Sequence, residues 1–159
     1  MNVTIIAVGK LKENFFIAAA EEYKKRLSAY CKLTVTEIEA AKLPSAPNAS
    51  EISQALLSEE AKIIKAIPKN TTVIAMCVEG KEMSSEKFAR LLDEYAVNGE
   101  SSITFIIGGS YGLSENVKSQ AKLKFSMSPM TFPHRLFRVM LLEQVYRAFK
   151  INEGSNYHK

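Results

Sequence analysis

The chain lacks tryptophan and has few of the residues that build metal or redox sites. Its 159 residues include two cysteines, Cys31 and Cys77, and two histidines, His134 and His158. The cysteines do not have the short spacing of a zinc or redox motif, and no His-Glu-x-x-His pattern occurs. We therefore expect two reduced, partly buried thiols and no metal site.

Long apolar segments are also absent. The longest, residues 136–142, is interrupted by Arg138 and is far shorter than the roughly 20 residues that cross a bilayer. The N-terminus leads directly into an apolar run, without the ordered basic, apolar and small-residue regions of a secretory signal. The sequence therefore predicts a cytoplasmic protein with no membrane partner.

The overall composition is typical of a folded domain, with 47% hydrophobic and 24% charged residues. A chain of this length fits around one core, and no internal repeat or linker divides it. We predict a single domain over residues 1–159.

Short apolar runs alternate with helical patterns along the chain. Residues 3–8, 72–78 and 103–107 are continuously apolar, as expected for strands covered on both faces, whereas residues 33–38 alternate more and suggest an edge strand. Apolar residues recur at helical spacing over roughly 13–29, 51–67 and 84–97. The pattern predicts an α/β fold with a mostly parallel sheet flanked by helices.

The last helix is predicted to begin near Pro133 and to continue to about residue 151. One apolar face contains Phe137, Leu141, Leu142, Val145, Ala148 and Phe149. Further apolar residues, Leu136, Val139, Met140 and Tyr146, lie elsewhere around the helix. A helix that is apolar on two sides is normally covered on both, so we predict a homodimer.

Positive charge is concentrated near the C-terminus. Residues 1–117 contain 13 Lys and Arg against 15 Asp and Glu, whereas residues 118–159 contain 8 against 2. The basic residues of the second part are Lys118, Lys122, Lys124, Arg135, Arg138, Arg147, Lys150 and Lys159. They could be ordinary solvated cations, or they could form a surface that contacts the phosphates of a nucleic acid.

A glycine-rich segment, Gly108-Gly109-Ser110-Tyr111-Gly112, follows a predicted buried strand and precedes a predicted helix near Ser114. It lacks both the Gly-x-Gly-x-x-Gly dinucleotide fingerprint and the Lys-Ser/Thr ending of a phosphate-binding loop. A ligand could approach the backbone closely here, but a tight turn without a ligand explains the glycines equally well.

A second segment carries a family resemblance. Residues 125–134 read Phe-Ser-Met-Ser-Pro-Met-Thr-Phe-Pro-His, and they are followed by Arg138, by Glu-Gln-Val-Tyr-Arg-Ala at 143–148 and by a terminal Tyr-His-Lys. Together with residues 5–12 and 105–113, these motifs closely resemble the RlmH family of ribosomal RNA large-subunit methyltransferases. The resemblance extends over essentially the whole chain.

The resemblance implies a SPOUT fold, in which the C-terminal part of the chain forms a deep trefoil knot. In this family S-adenosylmethionine binds in the knot between three loops near the dimer interface. The matching cofactor-binding positions here are Met76, Gly108, Met127, Ser128, Pro129, Met130, Thr131 and Phe132. Met76 replaces the leucine expected there, which is an exchange of similar volume.

The reaction implied by the resemblance is methylation of N3 of a pseudouridine in large-subunit ribosomal RNA on the assembled ribosome. Four residues are the catalytic candidates. Arg138 would stabilise the anion of the ring, and His134 would relay the N3 proton or hydrogen-bond at the start of the helix. In the tail, Tyr157 would stack on a base, and His158 or Lys159 would contact a phosphate. Glu143 is expected to pair with Arg147.

Two rival functions remain open at this stage. A nicotinamide- or nucleotide-binding α/β enzyme would account for the glycine segment, although it would need a fuller glycine fingerprint and an acidic ribose ligand. A non-catalytic ribosome-binding factor would account for the basic end and the dimer, but it would not need a methyl-donor site.

Overall fold

The computed structural model describes residues 1–158, in which it places five strands and five α-helices. The strands are β1 (Asn2–Val8), β2 (Lys32–Ile38), β3 (Thr72–Glu82), β4 (Ser102–Ile107) and β5 (Leu123–Ser126). The helices are α1 (Asn14–Leu27), α2 (Ala49–Ala66), α3 (Ser85–Val97), α4 (Glu115–Gln120) and α5 (His134–Asn152). A short 3-10 segment, Asn156–His158, follows α5 and is called the tail helix below.

The five strands form one parallel sheet in the order β2-β1-β4-β3-β5. This confirms the predicted α/β class, and β2 lies at an edge as its alternating pattern indicated. The trefoil knot implied by the resemblance stays a prediction. No helix within residues 1–158 is long and apolar enough to cross a membrane.

The core lies on both faces of the sheet, and β1 shows why its sequence is apolar throughout. Val3, Ile5 and Ala7 pack into a cluster with side chains of α1, α3 and α5, whereas Ile6 and Val8 pack with α2 and α4 on the opposite face. Because successive side chains of a strand point to opposite faces, a strand covered on both sides cannot alternate with polar residues.

Side-chain caps set the starts of three helices. Asn48 and Glu51 form a capping box at α2, Ser84 accepts a hydrogen bond from the N–H of Lys87 in α3, and Ser114 does the same for Val117 in α4. Pro133 immediately precedes α5, so the predicted start of that helix was correct to within one residue.

The ends of three strands meet at the carboxyl edge of the sheet. Met76 of β3 is in register with Ile107 of β4 and with Phe125 of β5. Phe125 also pairs with Lys81, so residues 77–80 form an irregularity that the sequence analysis missed when it ended this strand at residue 78. A Cβ on Gly80 would lie 2.6 Å from the backbone nitrogen of Phe125, and only glycine allows this approach.

Candidate functional site

A pocket of about 270 Å³ opens at this carboxyl edge. Its floor is formed by Met76, Ile107 and Phe125, the three strand-end residues that lie in register. The walls come from residues 77–79, from the glycine segment 108–112 and from the loop 127–132. Crevices at the carboxyl ends of parallel strands are the usual ligand sites of open α/β sheets.

The structure brings nearly all of the predicted cofactor-binding residues together. Those that line the pocket are Met76, Gly108, Met127, Ser128, Met130, Thr131 and Phe132. Pro129 belongs to the same loop but is not part of the lining. Residues that are up to 56 positions apart in the sequence thus surround one cavity, although their role in binding a cofactor stays a prediction.

The glycine segment is a tight turn that is closed by a hydrogen bond between two of its own residues. The N–H of Gly112 donates to the carbonyl of Gly109 over 3.1 Å, and Gly112 has a φ of +78°. A Cβ on Gly108 would lie 2.4 Å from the carbonyl oxygen of Gly112. Glycine is therefore required at position 108 by the turn itself, before any ligand is considered.

Two serines shape the 127–132 loop. The hydroxyl of Ser126, which is buried at the end of β5, donates to the carbonyl of Ser128 over 2.9 Å. The hydroxyl of Ser128 accepts from the N–H of Met130 over 3.0 Å. Met130 is 71% exposed, so it is not a core residue, whereas Met76 is buried at the pocket floor.

The pocket contains one ion pair that the sequence analysis did not single out. The Lys118 ammonium contacts the Glu79 carboxylate and, at 3.0 Å, that of Glu115. Burial lowers the pKa of Lys118, but the hydrogen bonds to the two carboxylates outweigh this effect and leave its pKa raised. Glu79 lies within the irregularity in β3, which no sequence pattern had indicated.

His134, the first residue of α5, also lines the pocket. Burial lowers the pKa of this imidazole below 6.5, and the nearby charges of Arg135 and Arg138 lower it further, while Glu13 opposes them. The side chain is therefore neutral at pH 7 and can accept a proton. A Cβ on Gly9 would lie 3.5 Å from His134 Nε2, which places the end of β1 beside it.

Arg138 does not lie where the sequence analysis expected it. It is only 2% exposed, it does not line the pocket, and it donates to Glu37 Oε1 over 2.5 Å and to the Gly9 carbonyl over 2.7 Å. One turn into α5, this side chain turns toward the ends of β1 and β2, and its expected role as a cation facing a substrate ring stays a prediction. Its Nε is buried without a hydrogen-bond partner among residues 1–158.

The C-terminal tail is ordered and lies away from the pocket. Tyr157 donates to Glu143 Oε1 over 3.3 Å, and its ring contacts Tyr146 and the guanidinium of Arg147, with both centroid distances 5.0 Å. His158 Nε2 lies 2.7 Å from Glu86 Oε1. Lys159 falls outside the described residues.

The tail is next to a second cavity of about 450 Å³, whose lining includes Glu143 and Gln144 of α5 and Ser85 of α3. The two cavities share Phe125 and Met127 as a common wall. Glu143 also accepts from Arg147 over 2.9 and 2.6 Å, which confirms the predicted pair. His134 therefore lines the first pocket, whereas Tyr157 contacts Glu143, a lining residue of the second cavity, without lining that cavity itself.

The basic C-terminal region is largely neutralised by the fold. Within the described part of the chain, each of the following C-terminal cations contacts a carboxylate: Lys118, Lys122, Arg135, Arg138, Arg147 and Lys150. Five of the partner carboxylates come from the acidic first part of the sequence, namely Glu13, Glu37, Glu79, Glu100 and Glu115. Ion pairing therefore reduces the free positive charge of this region, and its contact with phosphates stays a prediction.

Comparison with known proteins identifies the family of the chain. Residues 1–158 match the family model described as predicted SPOUT methyltransferase. Proteins named ribosomal RNA large subunit methyltransferase H from Clostridium acetobutylicum and from Clostridium botulinum (strain Kyoto / Type A2) are 50% and 52% identical to the chain, with complete coverage of both partners.

Solved structures share the fold at low sequence identity. The tRNA (m1G37) methyltransferase from Aquifex aeolicus aligns with a TM-score of 0.55 at 14% identity, over 92% of this chain and 70% of that one. A probable methyltransferase from Bordetella pertussis Tohama I aligns with a TM-score of 0.58 at 14% identity, over 92% and 93%. With the parallel sheet, the pocket at its carboxyl edge and a full-length family match, the chain belongs to the SPOUT methyltransferase family.

Proposed function

We propose that this protein uses S-adenosylmethionine to methylate N3 of a pseudouridine in large-subunit ribosomal RNA on the assembled, cytoplasmic ribosome. The observation that carries the proposal is the convergence of Met76, the glycine turn and the 127–132 loop on one pocket. These are the three segments to which the family resemblance assigns the donor. The complete coverage of relatives named for this activity supports the RNA substrate.

The pocket suits the chemistry of the donor. Met76, Ile107 and Phe125 provide an apolar floor for an adenine ring, and the irregular backbone of the 127–132 loop provides hydrogen-bonding groups beside it. The cofactor supplies an activated methyl group when it is bound. The protein's own contribution is to hold the acceptor nitrogen in line and to receive its proton.

We assign to His134 the role of accepting the N3 proton of the substrate. Its pKa is lowered, chiefly by burial, so the imidazole is neutral at the pH of the cytoplasm and can act as an acceptor. His134 lines the proposed donor pocket, so the uracil ring of a nucleotide that is positioned for methyl transfer could lie within its reach. The positive charges of Arg135 and Arg138 nearby disfavour the imidazolium form, so they keep His134 neutral before it receives the proton.

The tail would position the nucleotide from the neighbouring cavity. Phe125 and Met127 line both that cavity and the proposed donor pocket, so the two are neighbours, and a nucleotide held in the cavity could extend its base past these side chains into the donor pocket. Tyr157 and His158 are held beside it by Glu143 and Glu86. The target uracil ring would thus be oriented by groups that do not contact the donor.

We further propose that the protein is a homodimer. Phe15 and Leu136 are 66% and 36% exposed, and the ion pair between Glu13 and Arg135 joins the starts of their helices, α1 and α5. Exposed apolar side chains grouped on neighbouring elements are typical of an interface between subunits. This surface is continuous with the side of α5 that its own sheet does not cover.

Calorimetry separates this function from its rivals. The proposal predicts heat from binding of S-adenosylmethionine and none from NAD, because the closed glycine turn does not have the dinucleotide fingerprint. Binding of NAD alone would identify a nucleotide-dependent enzyme instead. Ribosome binding without donor binding would indicate a non-catalytic factor.

A further inference from the structure

The loop between β1 and α1, residues 9–13, carries two lysines beside the proposed site. Lys10 and Lys12 are both exposed, and neither forms an ion pair with any residue in the described range 1–158. The basic residues of the C-terminal region differ from them, because most of those are paired with carboxylates.

The loop is held to the body of the protein at several points. The N–H of Gly9 donates to the carbonyl of Ile38 over 2.7 Å, and the N–H of Leu11 donates to Glu37 Oε1 over 3.3 Å. Arg138 donates to the carbonyl of Gly9, and Arg135 pairs with Glu13 at the other end. A loop fixed in this way presents its charges at a defined place and loses little conformational freedom on binding.

Arg138 and Glu37 therefore form one positioning unit. Glu37 accepts from both Arg138 and Leu11, so the guanidinium and the carboxylate together fix the loop at two residues. This accounts for an arginine that is 98% buried yet touches neither cavity of the proposed reaction. It also explains a charged residue at a position where packing alone would favour an apolar one.

The loop lies next to the candidate proton acceptor. His134 Nε2 is 3.5 Å from the position of a Cβ on Gly9, and His134 lines the proposed donor pocket. Lys10 directly follows Gly9 in the chain. An RNA whose base enters the site must pass its backbone over the surroundings of the pocket, where the exposed lysines supply positive charge.

We infer that the β1–α1 loop is an RNA-backbone contact surface, in which Lys10 and Lys12 bind phosphates and Arg138 with Glu37 holds the loop in place. The inference rests on the proposed function for its RNA substrate. Lysines act on phosphate as mobile point charges, so these contacts would give affinity and orientation without reading sequence.

The test is the salt dependence of ribosome binding. Labelled full-length protein is titrated with intact ribosomes at several KCl concentrations, for the wild type and for Lys10→Gln/Lys12→Gln. Each phosphate contact contributes about 0.7 to 0.9 to the slope of log affinity against log salt, so the double variant should reduce the magnitude of the slope by about 1.5. Its affinity for S-adenosylmethionine should equal that of the wild type.

The matched control is Lys65→Gln/Lys69→Gln, which removes the same charge from the opposite edge of the sheet. These lysines are exposed and lie at the end of α2 and before β3. An unchanged slope in the loop variant, or an equal reduction in the control, would overturn the inference. Because binding is measured without turnover, a wild-type protein that binds ribosomes but transfers no methyl group would refute the proposed reaction and leave this test intact.

A second variant tests the positioning unit. Arg138→Gln should reduce the salt slope in the wild-type background and should produce no further reduction in the Lys10→Gln/Lys12→Gln background, because both changes remove the same contacts. A role in stability alone would lower the melting temperature and leave the slope unchanged. That outcome would remove Arg138 from the proposal.

Discussion

At the scale of single residues, the site depends on side chains whose surroundings give them a particular conformation or protonation state. Gly108 must be a glycine because the carbonyl of Gly112 occupies the space of its Cβ. His134 is neutral because it is half-buried and adjacent to two arginines. Both residues were candidates from the sequence, but the physical reason for each became apparent only from its neighbours.

Replacing Gly108 by valine should disturb the turn and the pocket together. We expect a loss of about 1–3 kcal/mol in the free energy of unfolding, because the added side chain would clash with the Gly112 carbonyl. Donor binding should be weakened at least tenfold, equivalent to about 1.4 kcal/mol. Denaturant unfolding and calorimetry measure the two effects. Gly109→Ala is the control, because its Cβ would meet only a side-chain carbon of Val8 at 3.2 Å. A folded Gly108→Val protein with wild-type stability and affinity would remove this residue from the site.

The pH dependence of methyl transfer should report on His134. Since its pKa is lowered, the imidazole stays neutral until the pH falls below 6.5, and the rate should then decrease as protonation removes the acceptor. Single-turnover rates on ribosomes between pH 5.5 and 8, set in steps of about half a unit to resolve one titration, provide the measurement. His134→Gln should lower the rate about 10²- to 10⁴-fold and abolish this acidic limb. An identical acidic limb in the variant would show that another group titrates.

At the scale of elements, the structure differs most from the sequence analysis where the chain makes contacts over long sequence separations. Strands β1 and β4 were predictable because burial on both faces leaves an apolar run. The irregularity at residues 77–80 was not, because it depends on how β5 passes Gly80. The charges of the C-terminal region also looked unpaired in sequence, since their partners lie up to 122 positions away.

Helix α5 has some features that could be predicted from the sequence and one that could not. Its start after Pro133 and its buried residues Leu141, Leu142 and Val145 follow from local pattern and helical periodicity. The burial of Arg138 could not be predicted in this way, because a charged residue on a helix is normally exposed. Only the arrangement of Gly9 and Glu37 at the ends of neighbouring strands provides its partners.

Deleting residues 157–159 should separate the two parts of the proposed site. The tail does not line the donor pocket, so affinity for S-adenosylmethionine should stay at the wild-type level. Methyl transfer to ribosomes should fall on the order of 10²-fold, because the acceptor base would lose the groups that orient it. Tyr157→Phe, which keeps the ring, should have a smaller effect. A wild-type rate at limiting ribosome concentration would show that the tail has no part in substrate binding.

At the scale of the whole molecule, the proposed donor pocket, the proposed proton acceptor and the tail-side cavity are arranged around one parallel sheet in a single short chain. The pocket lies at the carboxyl ends of β3, β4 and β5, while the β1–α1 loop and α5 supply groups from the side of β1. Apolar residues at the starts of α1 and α5 remain exposed. A partner subunit would cover them.

The protein should therefore be a dimer at micromolar concentration. Light scattering should give twice the chain mass of 17.7 kDa. Leu136→Glu should shift the equilibrium toward monomers, because it places a charge in the proposed apolar interface. Val97→Glu is the control, since Val97 is 80% exposed at the end of α3, on the opposite edge of the sheet. A wild-type monomer that is active at that concentration would refute the proposed dimer.

The most direct test of the central claim is mass spectrometry of ribosomal RNA. Ribosomes from cells that lack this protein are incubated with the purified protein and S-adenosylmethionine carrying an isotopically labelled methyl group. The proposed function predicts one labelled methyl group on N3 of a pseudouridine in the large-subunit RNA, and a lower rate of labelling with Gly108→Val at donor concentrations near the wild-type dissociation constant. Ribosomal RNA that gains no label from the wild-type protein would contradict it.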